Sequence, residues 1–331
     1  MALSQAIRIY KNGGPEELRF ETIEVSDPGP GQVLLHHTAI GVNFTDIHHR
    51  TGRYPGPGFP LVLGMEAVGI VEMIGDGVRE LKAGDRVAYA GASPSLSPGS
   101  YCQLRVMNAG RLVKIPDWLN DETAAATFLK GLTAEYLLRG SYHVREAETI
   151  LIHAAAGGVG LLMTQWARYL GATVIGTVSS PEKESLAKDY GCQYTLVSSQ
   201  EDVVGRVREI TDGEGVAVVY DSVGANTFEI SLACVRKRGT IVSFGSASGP
   251  VPPFDIFRLN RLGSLSLVGA GLADYISDRS EYLERAEDLF HVLKSGVVRA
   301  AVHQRYPLAD AVSAHRDLEA RRTTGSSILI P

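Results

Sequence analysis

The residues with the most chemical content lie between Thr149 and Leu170, in TILIHAAAGGVGLLMTQWARYL. An apolar run over 150–156 breaks into Gly157-Gly158-Val159-Gly160, and helical spacing then takes over at Leu162, Trp166 and Leu170. The spacing predicts a strand, a tight turn and a helix. Glycines at that turn let a phosphate approach the backbone, where free N–H groups and the positive end of the helix dipole hold it. The pattern is Ala155-x-Gly157-x-x-Gly160, with alanine at the first glycine position of a dinucleotide fingerprint. An ordinary strand-to-helix turn can also look like this, so the next strand decides. It covers 172–178 and is followed by Ser179-Ser180-Pro181-Glu182-Lys183. An NAD site places an acid at the end of this strand, about 20 residues past the glycines, to accept from the ribose 2′-hydroxyl. Two hydroxyls and a lysine suit a 2′-phosphate instead, which a carboxylate would repel. NADPH is therefore expected over NADH, with Ser179 and Lys183 facing the phosphate. Lys183 equally fits a solvated first-turn lysine, and Glu182 beside it opposes the electrostatic argument.

The elements that position these residues follow from the whole chain. Its 331 residues exceed one typical core and suit two domains. With 44% hydrophobic and 21% charged residues the composition is that of a globular protein. A formal net charge of -5 argues against nucleic acid as the main partner, because phosphate backbones select a basic face; a local basic patch stays open. Cys102, Cys192 and Cys234 are far apart and form no CxxC pair, which fits a reducing cytoplasm. No stretch approaches 18 consecutive apolar residues, and the first 25 lack a signal-peptide core, so no membrane partner is expected.

Over the first 120 residues, short alternating segments at 5–20, 32–39, 65–74, 86–90 and 101–106 are separated by turns such as Asn12-Gly13-Gly14-Pro15. This is a compact β-rich domain. From Asp121, capped by itself or by Asn120, an alanine-rich helix begins. Strands are then expected at 149–155, 173–178, 193–198, 216–221, 240–244 and 264–270, alternating with helices. That alternation predicts a doubly wound α/β domain with a parallel sheet. Helices follow at 280–295 and 308–320, and a terminal apolar strand is expected to return to the first domain.

The order GVNFTDIHHRTGRYPG, LVLGMEAVGIVEMIGDGV, AGDRVAY, FLKGLTAEYLL, HAAAGGVGLLMTQWARYLGATVIGTV, VVYDSVG and GSSILIP spans essentially the whole chain. In this it resembles the quinone oxidoreductases of the medium-chain dehydrogenase/reductase superfamily, and in particular their zeta-crystallin-like, NADPH-dependent branch. The resemblance implies a GroES-like catalytic domain from 1–126 and 267–331 and a Rossmann domain from 127–266, with the nicotinamide in the cleft between them. Zinc dehydrogenases of the superfamily carry Cys and His where this chain has Asn43 and Met65, and four cysteines in a lobe where it has only Cys102. No bound metal is expected. Metal-free reduction suits a conjugated carbonyl, which spreads the incoming charge without a Lewis acid.

The same resemblance places Asn43, His48 and Tyr54 at the substrate and nicotinamide, with His48 where relatives often have tyrosine. Asn43 also fits a turn, and His48 also fits a structural role. Asn43, Thr127, Lys130 and Gly131 are expected beside nicotinamide or phosphates, and Gly157, Gly158, Val159 and Gly160 at the pyrophosphate. Ser198 stands where relatives use tyrosine behind the 2′-phosphate. Ser222, Phe244, Gly245 and Ser246 close strands at the ligand-binding edge, and Gly325 is a further cofactor position; each also fits strand-end punctuation. The implied activity is NADPH-dependent reduction of a quinone. A zinc-free enoyl or alkenal reductase shares its fold and cofactor, and pocket shape, which no motif encodes, separates the two. A non-enzymatic NADPH-binding role of the crystallin or RNA-binding kind is the third reading; the charge of -5 speaks against RNA, and no cluster of Lys and Arg stands out along the chain. Gly263-Ser264-Leu265-Ser266-Leu267-Val268-Gly269 reads as a short alternating apolar strand at the expected edge of the sheet, where two copies are expected to pair as a homodimer, the alternative being an edge covered by a loop of the same chain.

Overall fold

The computed structural model describes residues 1–91 and 99–331. It divides into two compact units. One comprises Met1–Lys130, Ile276–Phe290 and Ala300–Pro331; the other comprises Gly131–Tyr275 and His291–Arg299.

The first unit is built from two sheets. Ala2–Ile9 pairs antiparallel with Arg19–Val25 and with Leu61–Val62. The larger sheet is organised on Gln32–Val42, which takes Glu66–Ile74 along one side and shares its other side between Leu104–Asn108 and Ser326–Ile330. Register shifts between Leu34 and Leu35 and between His37 and Ala39 bend this strand. Its alternating apolar side chains, Val33, Leu35, Ile40 and Val42, enter one core with Ile7, Ile9, Tyr89, Tyr101 and Leu329. The C-terminal strand thus joins the N-terminal unit, as its apolar run predicts. The strand expected at 101–106 forms later, at Leu104–Asn108, because the Tyr101 and Gln103 amides turn to the Leu63 and Gln5 carbonyls.

Two features here position functional candidates. A helix at Phe44–Arg50, absent from the sequence expectations, starts directly after the central strand. The helix Asp121–Glu135 begins where expected, and Asn120 is its cap: the Asn120 side-chain oxygen accepts from the Thr123 amide at 2.8 Å.

The second unit contains a six-stranded parallel sheet. Its spatial order is Tyr194–Val197, Thr173–Val178, Thr149–Ile152, Val216–Asp221, Val235–Ser243 and Ser266–Gly269. In order of appearance along the chain this is 3-2-1-4-5-6, the doubly wound arrangement. The central strands TILI and VAVVYD are buried at nearly every residue, because helices cover both faces. The first strand stops at Ile152, three residues short of expectation: Ala154 takes φ +54° and the Ala155 amide donates to the Thr177 carbonyl, which opens the turn early. The fifth strand starts at Val235, ahead of the expected 240.

Candidate active site

In the second unit, parallel strands bring the C-terminal ends of the sheet to one edge. The glycine turn follows Ile152, and the helix Gly158–Tyr169 starts with Gly157 as its cap. The first-turn N–H groups of Gly158, Val159 and Gly160 have no carbonyl one turn earlier in the helix, which leaves them for a ligand. A Cβ on Gly160 would stand 2.5 Å from the Ala154 carbonyl oxygen, so only glycine lets the helix pack this closely on the turn. Ser179 follows Val178 and is exposed; Lys183 is half-buried in the first turn of the helix Glu182–Asp189. The Ser180 hydroxyl bonds the Glu182 carboxylate and holds it below the usual range. Ser198 is exposed at the next strand end, its hydroxyl donating to the Val178 carbonyl at 3.1 Å. Ser222 and Phe244-Gly245-Ser246 follow the fourth and fifth strands, joined by the Phe244 amide to the Asp221 carbonyl at 3.0 Å and the Ala247 amide to the Ser222 carbonyl at 3.2 Å. This edge fits a dinucleotide phosphate: it offers free amides, hydroxyls and a lysine, and no acid closes the second strand.

A buried chain behind this edge was missed from sequence. The Ser231 hydroxyl donates to Asp221 Oδ2 at 2.8 Å, and His153 Nε2 lies 3.1 Å from that hydroxyl oxygen. His153 Nδ1 is 2.9 Å from the Thr177 hydroxyl. With the Ser231 proton given to Asp221, Nε2 carries the imidazole proton and Nδ1 accepts from Thr177. Burial lowers the His153 pKa, which keeps the ring neutral. The Asp221 carboxylate also takes the Val223 and Gly224 amides and the Thr227 hydroxyl. Three strand ends are thereby tied together beneath the glycine turn.

In the first unit, Asn43 caps the helix Phe44–Arg50 and is buried. Its Nδ2 donates to Glu66 Oε1 at 2.9 Å. Lys130 Nζ donates to the same oxygen at 2.9 Å, and the Leu129 amide donates to Oε2 at 2.8 Å. Glu66 is fully buried and Lys130 nearly so, which makes Glu66 the anchor of both candidate side chains. Sequence reasoning did not single out Glu66. The Asn43 amide donates to Asp46 Oδ2 at 2.8 Å, which also accepts from the Tyr101 hydroxyl at 3.0 Å. Tyr101 in turn meets His315 Nε2 at 3.1 Å, and His315 Nδ1 meets Arg50 Nη1 at 3.0 Å. Burial raises the Asp46 carboxyl to about 7.

His48 and Tyr54 stand edge to face with ring centroids 4.9 Å apart, and the Tyr54 amide donates to the His48 carbonyl. Burial, with Arg53 and His49 nearby, pushes His48 down to about 4. It is therefore a neutral ring at pH 7 and not the protonated donor that a histidine with an ordinary pKa could supply near that pH. Thr127 is buried and its hydroxyl donates to the Thr123 carbonyl, within its own helix. Gly131 follows Lys130 in that helix. Gly325 has φ +58°, and a Cβ there would meet the Ala301 carbonyl oxygen at 2.5 Å, a structural reason for glycine. At the zinc positions of related dehydrogenases, the Asn43 amide nitrogen is committed as a donor and Met65 is buried. Among the described residues no group of three or more His, Cys, Asp or Glu is placed to hold a metal ion.

Residues 29–117 match the alcohol dehydrogenase GroES-like domain family, and residues 158–288 match the zinc-binding dehydrogenase family. A quinone oxidoreductase of Pseudomonas aeruginosa is 47% identical over 329 residues, covering 99% of this chain and 100% of that protein. A 2-haloacrylate reductase of a Burkholderia species is 44% identical, covering 98% of each. The crystal structure of Escherichia coli quinone oxidoreductase complexed with NADPH superposes with a TM-score of 0.96 at 45% identity, covering 99% of this chain and 100% of that one. The chain belongs to the quinone oxidoreductase family of the medium-chain dehydrogenase/reductase superfamily.

Proposed function

We propose that this protein is an NADPH-dependent quinone reductase that works without a metal. The observation that carries the reading is the glycine turn beside an acid-free strand end, in a chain alike over its full length to a quinone oxidoreductase complexed with NADPH. Bound NADPH supplies the hydride. The amides of Gly158, Val159 and Gly160 hold the diphosphate, with Gly157, whose own amide donates to the Ala154 carbonyl, giving it close approach; Ser179 and Lys183 hold the 2′-phosphate, and Ser198 borders it. Ser222, Phe244, Gly245 and Ser246 line the adjoining strand ends. Glu66 fixes the Asn43 amide and the Lys130 ammonium, which orient the reacting ring and the acceptor carbonyl. Neutral His48 and Tyr54 provide aromatic wall and N–H or O–H donors to the reduced oxygen; Thr127 and Gly131, in the helix that carries Lys130, and Gly325, before the last strand, complete the proposed cofactor positions.

The likeness to a 2-haloacrylate reductase favours a second reading, reduction of a smaller conjugated carbonyl. NADPH consumption with a naphthoquinone, a benzoquinone and a 2-alkenal separates the two. Turnover of the quinones supports the first; turnover of the alkenal alone overturns it. The non-enzymatic reading predicts NADPH binding with no acceptor turning over.

The cytoplasmic location and the homodimer belong to the same proposal. Buried free thiols at Cys102, Cys192 and Cys234 support a reducing compartment. Ser266–Gly269 is the last strand of its sheet and is partly exposed, so its outer edge supports pairing with a second copy. Light scattering should give about twice the 35.5 kDa chain mass at micromolar concentration, and a monomer mass would refute the dimer.

A further inference from the structure

We infer that the N-terminal edge of the parallel sheet carries a second anion site, built from Arg145, Arg236, Lys237 and Arg238, for a small ligand bearing a phosphoryl or diphosphoryl group. The three consecutive cations correct the sequence reading that no basic cluster stands out. Their presentation comes from the ladder. Val216 pairs with Val235 and Val218 with Thr240, so Arg236 to Gly239 are looped out between two pairings that are only two residues apart on the partner strand. Arg238 holds φ +60°, a conformation L residues rarely adopt, and its amide is pinned to the Gly263 carbonyl at 2.8 Å. The loop faces residues 141–148 across a cavity of about 620 Å³.

Charge bookkeeping in the cavity points to an anion. Its one carboxylate, Glu148, already accepts from the Tyr142 hydroxyl at 2.9 Å, Arg236 Nη2 at 3.1 Å and the Arg145 amide at 3.1 Å. Among the described residues no carboxylate lies within ion-pair distance of the Arg145, Lys237 or Arg238 head groups, whereas Arg206, Arg258, Arg261, Arg305 and Arg322 each have one. Four cations against one acid leave a surplus of three positive charges on a chain whose net charge is -5. Forked guanidiniums from different segments suit the tetrahedral oxygens of a phosphoryl group better than a single carboxylate. The site is separate from the glycine turn. Glu148 precedes the strand Thr149–Ile152 and the turn follows it, so the two lie about 13 Å or more apart along the strand direction.

The test is calorimetric titration of the full chain, saturated with NADPH so that its dinucleotide site is filled, with inorganic diphosphate and separately with ADP. Sodium sulfate at matched ionic strength is the control. One diphosphoryl group should bind per chain, more tightly than sulfate. Tighter binding of ADP than of diphosphate identifies a nucleotide source, and the reverse identifies the free anion. K237A combined with R238G, which suits the positive φ, should weaken binding roughly ten- to one-hundred-fold, about three- to tenfold per exposed cation, and leave quinone turnover unchanged. If that variant folds poorly, K237E alone, which reverses one charge, should weaken binding by a similar factor. Affinity no greater than for sulfate, or unchanged in the variants, overturns the assignment.

Discussion

Glu66→Gln tests the anchor of the first unit. The glutamate is fully buried and accepts three donors, from Asn43 Nδ2, Lys130 Nζ and the Leu129 amide. Glutamine keeps the shape, but its amide nitrogen must face one of these donors, and Lys130 is left buried without its counter-charge. Breaking a buried ion pair from one side costs about 3–5 kcal/mol. The retained shape and one good acceptor put the expectation near ~3 kcal/mol, or roughly 6–12 °C in Tm for a unit of this size. Adding Lys130→Met should recover most of that, because an apolar pair avoids the stranded charge. The assay is a thermal and urea double-mutant cycle over Glu66→Gln, Lys130→Met and both together. Salt should hardly change the coupling, since water does not reach the pair. A single-variant loss under about 1 kcal/mol, or additive effects of the two changes, would refute the reasoning.

Two further outcomes follow from the geometry. Stability should fall as the pH drops from about 6.5 towards 4. Burial depresses His48 to about 4 and His37 and His315 to about 3, so in this window the unfolded chain takes up their protons and the folded one does not. Asp46, raised to about 7, works in the opposite sense because the folded chain is protonated there first. Burial lowers His49 and His153 as well, in the same sense, so the net uptake on unfolding is at least about two protons and the slope roughly 2.7 kcal/mol per pH unit or steeper; flat urea midpoints from pH 6.5 to 4.5 would contradict it. For the cofactor, Lys183→Ala should raise the KM for NADPH by about ten-fold and leave that for NADH unchanged, while Ser179→Asp should invert the preference. An equal effect of Lys183→Ala on both cofactors would make the lysine a surface charge only.

What was legible in the sequence was local. The glycine turn, the missing acid after Val178 and the alternation of strands and helices each depend on neighbours within about 20 residues, and the parallel sheet follows from them. The helix Phe44–Arg50 was missed although its signal was present: Asn43 at the cap and Asp46 three residues on are a capping pattern, hidden because the strand before it runs straight into it. The remainder is written in separations no local pattern reveals. Glu66 meets Lys130 from 64 residues away, and Arg50 meets His315 from 265. His48 looked like a proton donor by type, and only its burial beside Arg53 makes it neutral. Arg236 to Arg238 were passed over ahead of the strand expected at 240–244, since the looped-out register that displays them exists only in the ladder.

The central claim, metal-free and NADPH-dependent reduction of a quinone, is tested most directly by steady-state turnover of one naphthoquinone in the presence of a strong zinc chelator, with NADPH and NADH compared at equal concentration. The account predicts a rate unaffected by the chelator and a kcat/KM at least about ten-fold higher for NADPH, the value of one charge-assisted phosphate contact. Turnover that disappears on chelation and returns with added zinc, or that proceeds equally well with NADH, would contradict it.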